Sequence, residues 1–366
     1  MSATTSPGSR DYLATKASNA RLSMREFRAG ALELQSMPRK VLVELTQGCN
    51  LRCPMCRSRS IGYSERELDR TLFYEIAELL FPAAEVVDIR GWGESLLAPD
   101  VNGIIQAVDS YQARCRIVTN LSVDRPETLD LLVDTGAQID VSLDAVTQEV
   151  VDVHRPGARM DLITANLRRI AGRLRDTDAS KDSLRIITTV QAGTLHELTE
   201  LVRYVSTVGV QQVIFNEVSL APGDPNAVVG LEREVGESVR KAAAVAEELG
   251  VELYAGSQLG DCGGTKNDVK FCSHPWAYAT VGYDGSIGYC DHLIGPMMRF
   301  SCMGDITTSS FRSIWNGPDW QELRRWHANA EREDVPAYQA CFRCLQRVNI
   351  EEDVPRVVAG SPSIRP

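Results

Sequence analysis

Three cysteines lie within the stretch CNLRCPMC at residues 49–56, which follows a β-rich run at Val41–Leu45. Three closely spaced thiolates can bind three irons of a [4Fe–4S] cube and leave the fourth iron open to another ligand. A zinc site is the alternative, but zinc usually takes a fourth Cys or His ligand. The next 50 residues contain neither, so the spacing favours an iron–sulfur site.

Strand and helix signals alternate along the chain from this point. Six β-rich runs are separated by helical patterns, several of which end at Gly. The runs are Val41–Leu45, Val86–Ile89, Arg116–Thr119, Ile139–Leu143, Arg185–Val190 and Val213–Asn216. Six βα units predict an α/β fold with a parallel sheet, an open partial (β/α)6 barrel, whose ligands bind at the carboxyl ends of the strands.

Four regions are expected from changes in this pattern. Residues 1–37 would be a partly mobile N-terminal extension with a leading helix near 22–35, and residues 38–255 the partial barrel. Residues 256–354 would form a small accessory domain, and residues 355–366 a tail. Within the barrel, Ser64 and Glu67 form an apparent capping box that predicts a helix over Glu65–Leu80. In the accessory domain, Asp284-Gly285 is a strong hairpin signal.

Composition narrows the class of protein. Hydrophobic residues make up 43% and charged residues 24% of the 366 residues, which is typical of globular chains. The formal net charge of −10 argues against general nucleic-acid binding. No apolar run is long enough to span a membrane, and no secretory signal is visible. We therefore expect a cytoplasmic protein, in which clustered cysteines bind metal more often than they form disulfides.

The first cysteine cluster resembles that of the radical S-adenosylmethionine (radical SAM) superfamily in spacing and in its place after the first strand. The resemblance implies that SAM binds the open iron and is cleaved by one-electron reduction to a radical that abstracts hydrogen from a substrate. It also implies a reducing partner protein such as flavodoxin or ferredoxin.

The resemblance extends to the ends of later strands. Gly91-Trp92-Gly93-Glu94 follows the second strand, where the family's Gly-Gly-Glu stretch meets the SAM amino group, with Trp92 in place of the usual small residue. Further SAM contacts are implied at Met55, Asn120, Ser142, Asp144 and Arg155. Capping of strand ends is the alternative role for the polar residues among these.

A second cysteine group follows the barrel and comprises Cys272, Cys290, Cys341 and Cys344. It resembles the accessory domain of SPASM enzymes and of the shorter twitch radical SAM enzymes. No cysteine follows Cys344, which fits the twitch form with one auxiliary [4Fe–4S] cluster held by four cysteines. A zinc ribbon is the alternative.

A fully ligated auxiliary cluster can accept an electron, which suits a two-electron oxidation. The spacing of the second group resembles radical SAM dehydrogenases of aminoglycoside antibiotic biosynthesis, including 2-deoxy-scyllo-inosamine dehydrogenase. This resemblance implies that a secondary alcohol of a small cationic aminoglycoside or aminocyclitol is oxidised to a ketone. Asp291 or His292 would be the general base, and Glu217 would bind a substrate amine.

Three other interpretations remain open. An epimerase would use Cys262 or Cys302 as a hydrogen donor to the substrate radical. A peptide-modifying enzyme of this kind often carries a leader-peptide domain and a full SPASM domain, for which we expect too little room and too few cysteines. A non-enzymatic iron–sulfur or zinc module would not need residues for SAM at four strand ends.

Overall fold

Strands and helices alternate from residue 40 to residue 255, as the sequence predicts. The computed structural model describes residues 11–56, 65–175, 177, 181–221, 223–255, 272–293, 301–328 and 341. The barrel strands are β1 Lys40–Val43, β2 Val86–Asp88, β3 Arg114–Thr119, β4 Gln138–Ser142, β5 Leu184–Val190, β6 Gln212–Glu217 and β7 Glu252–Ala255. The leading helix α1 is Tyr12–Arg28, and the helices between the strands are α2 Arg70–Leu80, α3 Val101–Ser110, α4 Pro126–Asp134, α5 Gln148–His154, α6 Met160–Arg175, α7 Leu198–Thr207 and α8 Glu232–Leu249.

The C-terminal part adds strands to the same sheet. Its elements are α9 His274–Ala277, β8 Tyr278–Val281, β9 Ser286–Gly288, β10 Gly304–Asp305, α10 Phe311–Trp315 and α11 Pro318–Ala328. The strand order is β10-β9-β8-β1-β2-β3-β4-β5-β6-β7, parallel from β8 to β7 and antiparallel at β9 and β10. The predicted α/β partial barrel with a small C-terminal domain is confirmed. The sheet continues across the predicted domain limit at residue 255.

Side chains alternate between two environments along the strands. In β3, Cys115 and Ile117 are buried in the core that the sheet forms with the helices. Arg114, Arg116 and Val118 point to the opposite face, which we call the interior face. The edge strand β7 was not predicted, because none of its four residues is fully buried and its apolar pattern is weak.

The leading helix α1 begins ten residues earlier than the periodicity near Leu22 indicates. Asp11 caps it by accepting hydrogen bonds from the backbone N–H groups of Leu13 and Ala14. Lys16 lies on its buried face and donates to the carbonyl oxygens of Phe81, at 2.6 Å, and of Ala84. A lysine at a buried position conceals the amphipathic pattern, so sequence analysis placed the start too late.

The predicted helix over Glu65–Leu80 is shorter than expected. Asp69 is the N-cap of α2 and accepts from the N–H of Thr71 at 2.8 Å. Glu67 instead forms an antiparallel bridge with Thr46, so the proposed capping box is wrong; Ser64 lies outside the described residues. The segment just before α2 therefore pairs, at Glu67, with the residues between β1 and the cysteine loop. None of the described helices is both long and apolar enough to cross a membrane.

Replacing Lys16 by Met should destabilise the protein by about 1–3 kcal/mol near pH 7, because two buried carbonyls lose their donor. Burial lowers the pKa of Lys16 from 10.5 to about 8. Between about pH 8 and pH 10.5 the unfolded wild-type chain therefore binds more protons than the folded one. The free energy of unfolding of the wild type, relative to that of the variant, should grow as the pH rises through this range. Urea midpoints of both proteins at pH 7.5 and 10 test this. The exposed Lys241→Met variant is the control, and a wild-type advantage independent of pH would contradict the assignment.

Candidate functional site

Cys49, Cys53 and Cys56 lie in the loop after β1. Cys53 is buried, and the other two are half-buried. Burial raises the pKa of the Cys53 thiol to about 11, and the neighbouring sulfurs of Cys56 and Cys49 add to the shift. The loop thus gathers three sulfurs at the carboxyl end of the first strand.

The Gly91–Glu94 motif holds the start of this loop. The N–H of Gly93 donates to the carbonyl of Thr46 at 3.1 Å, and that of Glu94 donates to Gly48 at 2.8 Å. A Cβ atom on Gly93 would lie 2.4 Å from the Gly48 oxygen. Only glycine allows this close approach of two backbones.

The end of β3 holds the other side of the loop. Asn50 Nδ2 donates to the carbonyl of Ser122 at 2.8 Å. Asn120 Nδ2 lies 3.8 Å from the Sγ of Cys49 and donates to Asn50 Oδ1 at 2.9 Å. Asn120 therefore contacts a candidate metal ligand.

Glu94 is 2% exposed, and burial raises the pKa of its carboxyl group. Its two oxygens accept from the backbone N–H groups of Asn120, at 2.7 Å, and of Leu96, at 3.2 Å. The carboxylate thus ties the second strand end to the third. Its predicted contact with the SAM amino group remains a prediction.

Arg155 and Asp144 form a buried ion pair. The Nε of Arg155 lies 2.8 Å from Oδ2 of Asp144, whose Oδ1 accepts from the N–H of Thr189. The charge of Arg155 lowers the pKa of Cys53 against the larger effect of burial. Asp144 therefore places a guanidinium beside the cysteines, a link that sequence analysis did not foresee.

The three thiols fit an iron–sulfur cluster by their chemistry. The thiols of Cys49 and Cys53, whose pKa burial raises, need cationic partners to stay ionised, and Arg52 and Arg155 supply two positive charges. Bound iron would supply the remainder, with Cys49, Cys53 and Cys56 as ligands. Met55 is half-buried between the second and third cysteines, and Ser142 is half-buried at the end of β4.

Trp92 packs on Leu42 of β1 and Tyr278 of β8. The backbone N–H of Trp92 donates to Oε1 of Glu44 at 3.2 Å, and burial raises the pKa of the Glu44 carboxyl group. Glu44 also accepts from the backbone of Tyr283. Sequence analysis missed Glu44, although a carboxylate inside the run VLVEL was a visible signal.

The second cysteine group lies around β8 and β9. Cys272 comes two residues before His274, and the Sγ of Cys341 lies 3.8 Å from the hydroxyl of Tyr289, the neighbour of Cys290. Cys272, Cys290 and Cys341 are all half-buried. These thiols fit an auxiliary cluster by their chemistry. Three of the predicted groups lie outside the part of the chain that the structure describes: Cys262, Cys344 and the side chain of His292. Cys302 is exposed.

Asp291 and Arg90 join the two groups of motifs. Arg90 precedes Gly91, and its Nη2 lies 2.5 Å from Oδ2 of Asp291, the residue after Cys290. Its Nε lies 3.0 Å from the buried carboxylate of Asp88. The predicted base is therefore held by a guanidinium from the second barrel strand.

Paired charges continue along the interior face. Arg116 reaches Asp88 at 3.6 Å and Asp140 at 2.8 Å, and Arg185 lies 2.6 Å from Asp140. Burial alone would raise the pKa of Asp140, but these two arginines lower it to about 2. The arginine and aspartate side chains on the interior face therefore balance one another's charge.

Glu217 does not share the interior face. It continues the alternation of Val213 and Phe215, which are buried against the helices, and Asn216 takes the other face. Burial raises the pKa of Glu217, and the charge of Glu232 adds to this. This position gives no support to the predicted contact with a substrate amine.

Two family models match the chain. The radical SAM superfamily model matches residues 43–205, which include the first three cysteines. The SPASM model, an iron–sulfur cluster-binding domain, matches residues 272–345, which include the second group.

Relatives of known role share modest identity. The tungsten-containing aldehyde ferredoxin oxidoreductase cofactor-modifying protein of Pyrococcus furiosus is 26% identical over 51% of this chain and 54% of that protein. The AdoMet-dependent heme synthase of Methanosarcina barkeri is 26% identical over 80% of this chain and 86% of that protein. The subtilosin biosynthesis protein AlbA of Bacillus subtilis is 32% identical over 32% of this chain and 27% of AlbA. The chain thus spans about half of the Pyrococcus protein and about a quarter of AlbA.

Solved structures share the fold. SuiB of Streptococcus suis bound to S-adenosylmethionine gives a TM-score of 0.63 at 15% identity, over 84% of this chain and 72% of SuiB. BtrN in complex with AdoMet and 2-DOIA gives a TM-score of 0.44, too low to support an argument about the substrate. Fold, cysteine placement and family matches together show that the chain carries a radical SAM domain followed by a SPASM iron–sulfur domain, which implies SAM and [4Fe–4S] clusters as its cofactors.

Proposed function

We propose that this chain is a radical SAM oxidoreductase that converts a secondary alcohol of an aminocyclitol or aminoglycoside into a ketone. The Arg90–Asp291 ion pair is the observation that carries the proposal. Asp291 follows Cys290, and Arg90 directly precedes the Gly91–Glu94 motif. The ion pair therefore joins a carboxylate at the second cysteine group to the end of the second strand. When bound, SAM and its cluster would supply a hydrogen-abstracting radical, and the auxiliary cluster would accept one electron.

The reaction removes one hydrogen atom, one proton and one electron from a CH–OH group and leaves C=O. Asp291 would accept the hydroxyl proton, and the ion pair with Arg90 holds its carboxylate in place beside Cys290. Trp92 and Tyr278 share a buried cluster with Leu42, which packs the two motif-bearing parts of the chain against β1. A one-electron donor such as flavodoxin or ferredoxin would supply the reducing electron.

Peptide modification is the second candidate. AlbA is named for the biosynthesis of a bacteriocin, and SuiB has been solved bound to its precursor peptide SuiA. The other two relatives are named for a tungsten enzyme's cofactor and for heme. The names thus cover several substrate classes, and product analysis must separate them.

The metal sites should respond separately to cysteine substitution. Anaerobically reconstituted protein should hold about eight irons per chain, and Cys49→Ala should hold about four. Cys115→Ala is the matched control, because Cys115 is buried in the core and should leave the count unchanged. Iron and zinc analysis of the three proteins measures this. About four irons with one zinc in the wild type would contradict two cubes.

Asp291→Asn should lower kcat for ketone formation by about 10²–10⁴-fold, the usual contribution of a general base. Cleavage of SAM under reductant should persist, because Asp291 lies beside the second cysteine group. Mass spectrometry of products from 2-deoxy-scyllo-inosamine measures both, with exposed Asp109→Asn as the control.

Wild-type enzyme should consume one SAM per ketone. Solvent deuterium at the substrate carbon, lost in Cys302→Ala, would instead show epimerisation. A wild type that ignores the aminocyclitol but crosslinks a precursor peptide would overturn the alcohol proposal and favour the second candidate.

A further inference from the structure

His274 lies at the second cysteine group without a role so far. It opens α9, two residues after Cys272. A ring nitrogen of His274, the Sγ of Cys290 and a carboxylate oxygen of Asp291 all lie within 4.8 Å of one another. His274 is only 7% exposed, so its imidazole belongs to the interior of this site.

Two neighbours fix the direction of the ring. His274 stacks on Tyr278 with ring centroids 4.4 Å apart and planes 15° apart. Tyr278 is itself 2% exposed, and its strand β8 pairs along its whole length with β1. Asp291, whose carboxylate lies near the ring, is held by its ion pair with Arg90. The imidazole is therefore confined between an aromatic face and the Cys290–Asp291 corner.

We propose that His274 is a positioning residue of the auxiliary centre, and that its ring N–H donates a hydrogen bond to the Cys290 sulfur. The inference rests on the proposed function, which places a cluster at Cys290. The sequence supplies four cysteines in the second group, one for each iron of a cube, so we assign the histidine as a donor to sulfur and not as a ligand. A donor to a ligating sulfur stabilises the more negative, reduced cluster and so raises its reduction potential. The hydrogen bond from His274 would thus favour the electron transfer that the proposed oxidation requires.

The test isolates the auxiliary cluster in a full chain whose first three cysteines are replaced by alanine. His274→Phe keeps a ring for the stack and removes the N–H. At a fixed potential the ratio of reduced to oxidised cluster should fall about tenfold, equivalent to about 59 mV for one electron. Titration followed by electron paramagnetic resonance measures this ratio. His196→Phe, on the surface, is the control and should change nothing.

Rescue variants and iron analysis separate donation from other roles. His274→Asn and His274→Gln each put an amide N–H in place of the imidazole N–H. At least one of them should recover half of the shift in reduction potential, with about four irons retained. An unchanged ratio in His274→Phe overturns the inference. Loss of iron in that variant also overturns it, because His274 would then be needed for assembly. If the chain with the first three cysteines replaced binds no auxiliary cluster while His274 is intact, the proposed function is contradicted, and this inference fails with it.

Discussion

Gly93 lies so close to the backbone of residues 46–48 that no side chain fits between them. This contact depends on two hydrogen bonds, from the N–H groups of Gly93 and Glu94 to Thr46 and Gly48. Cys49 follows Gly48 directly, so the position of the first sulfur is set by the second strand end. Glu94 extends the link to Asn120, which in turn contacts the Cys49 sulfur. One backbone contact thus orders the carboxyl ends of three strands.

Two arginine–aspartate pairs then set the electrostatics of the two cysteine groups. Arg155, held by Asp144, faces the buried Cys53, and Arg90, held by Asp88, faces Asp291 beside Cys290. In both of these pairs the buried charge has an opposite partner, which offsets the cost of taking it out of water. The pairs also connect elements that are distant in sequence, and they explain how a barrel and a C-terminal hairpin can share one interior.

Sequence alone predicted β1 to β6, six of the seven barrel strands, to within about two residues, because their buried runs are strongly apolar. It also placed the Asp284-Gly285 hairpin. It failed where polar residues are buried, as at Lys16 in α1 and Glu44 after β1, since composition gives no sign of their partners. The role of Glu217 stays a prediction, although the alternation along β6 sets it on the same face as the buried Val213 and Phe215. The proximity of His274 to Cys290 follows from the antiparallel β8–β9 hairpin, which brings the residues before β8 to those after β9. The stacking of His274 on Tyr278, by contrast, is a side-chain contact that no local pattern reveals.

The central claim is that the thiols of Cys49, Cys53 and Cys56 hold a cluster that binds SAM directly. Electron paramagnetic resonance of the reduced, anaerobically reconstituted protein, recorded with and without SAM, tests it most directly. The account predicts that SAM changes the signal of one cluster in the wild type and of none in Cys53→Ala. A wild-type spectrum that is identical with and without SAM would contradict it.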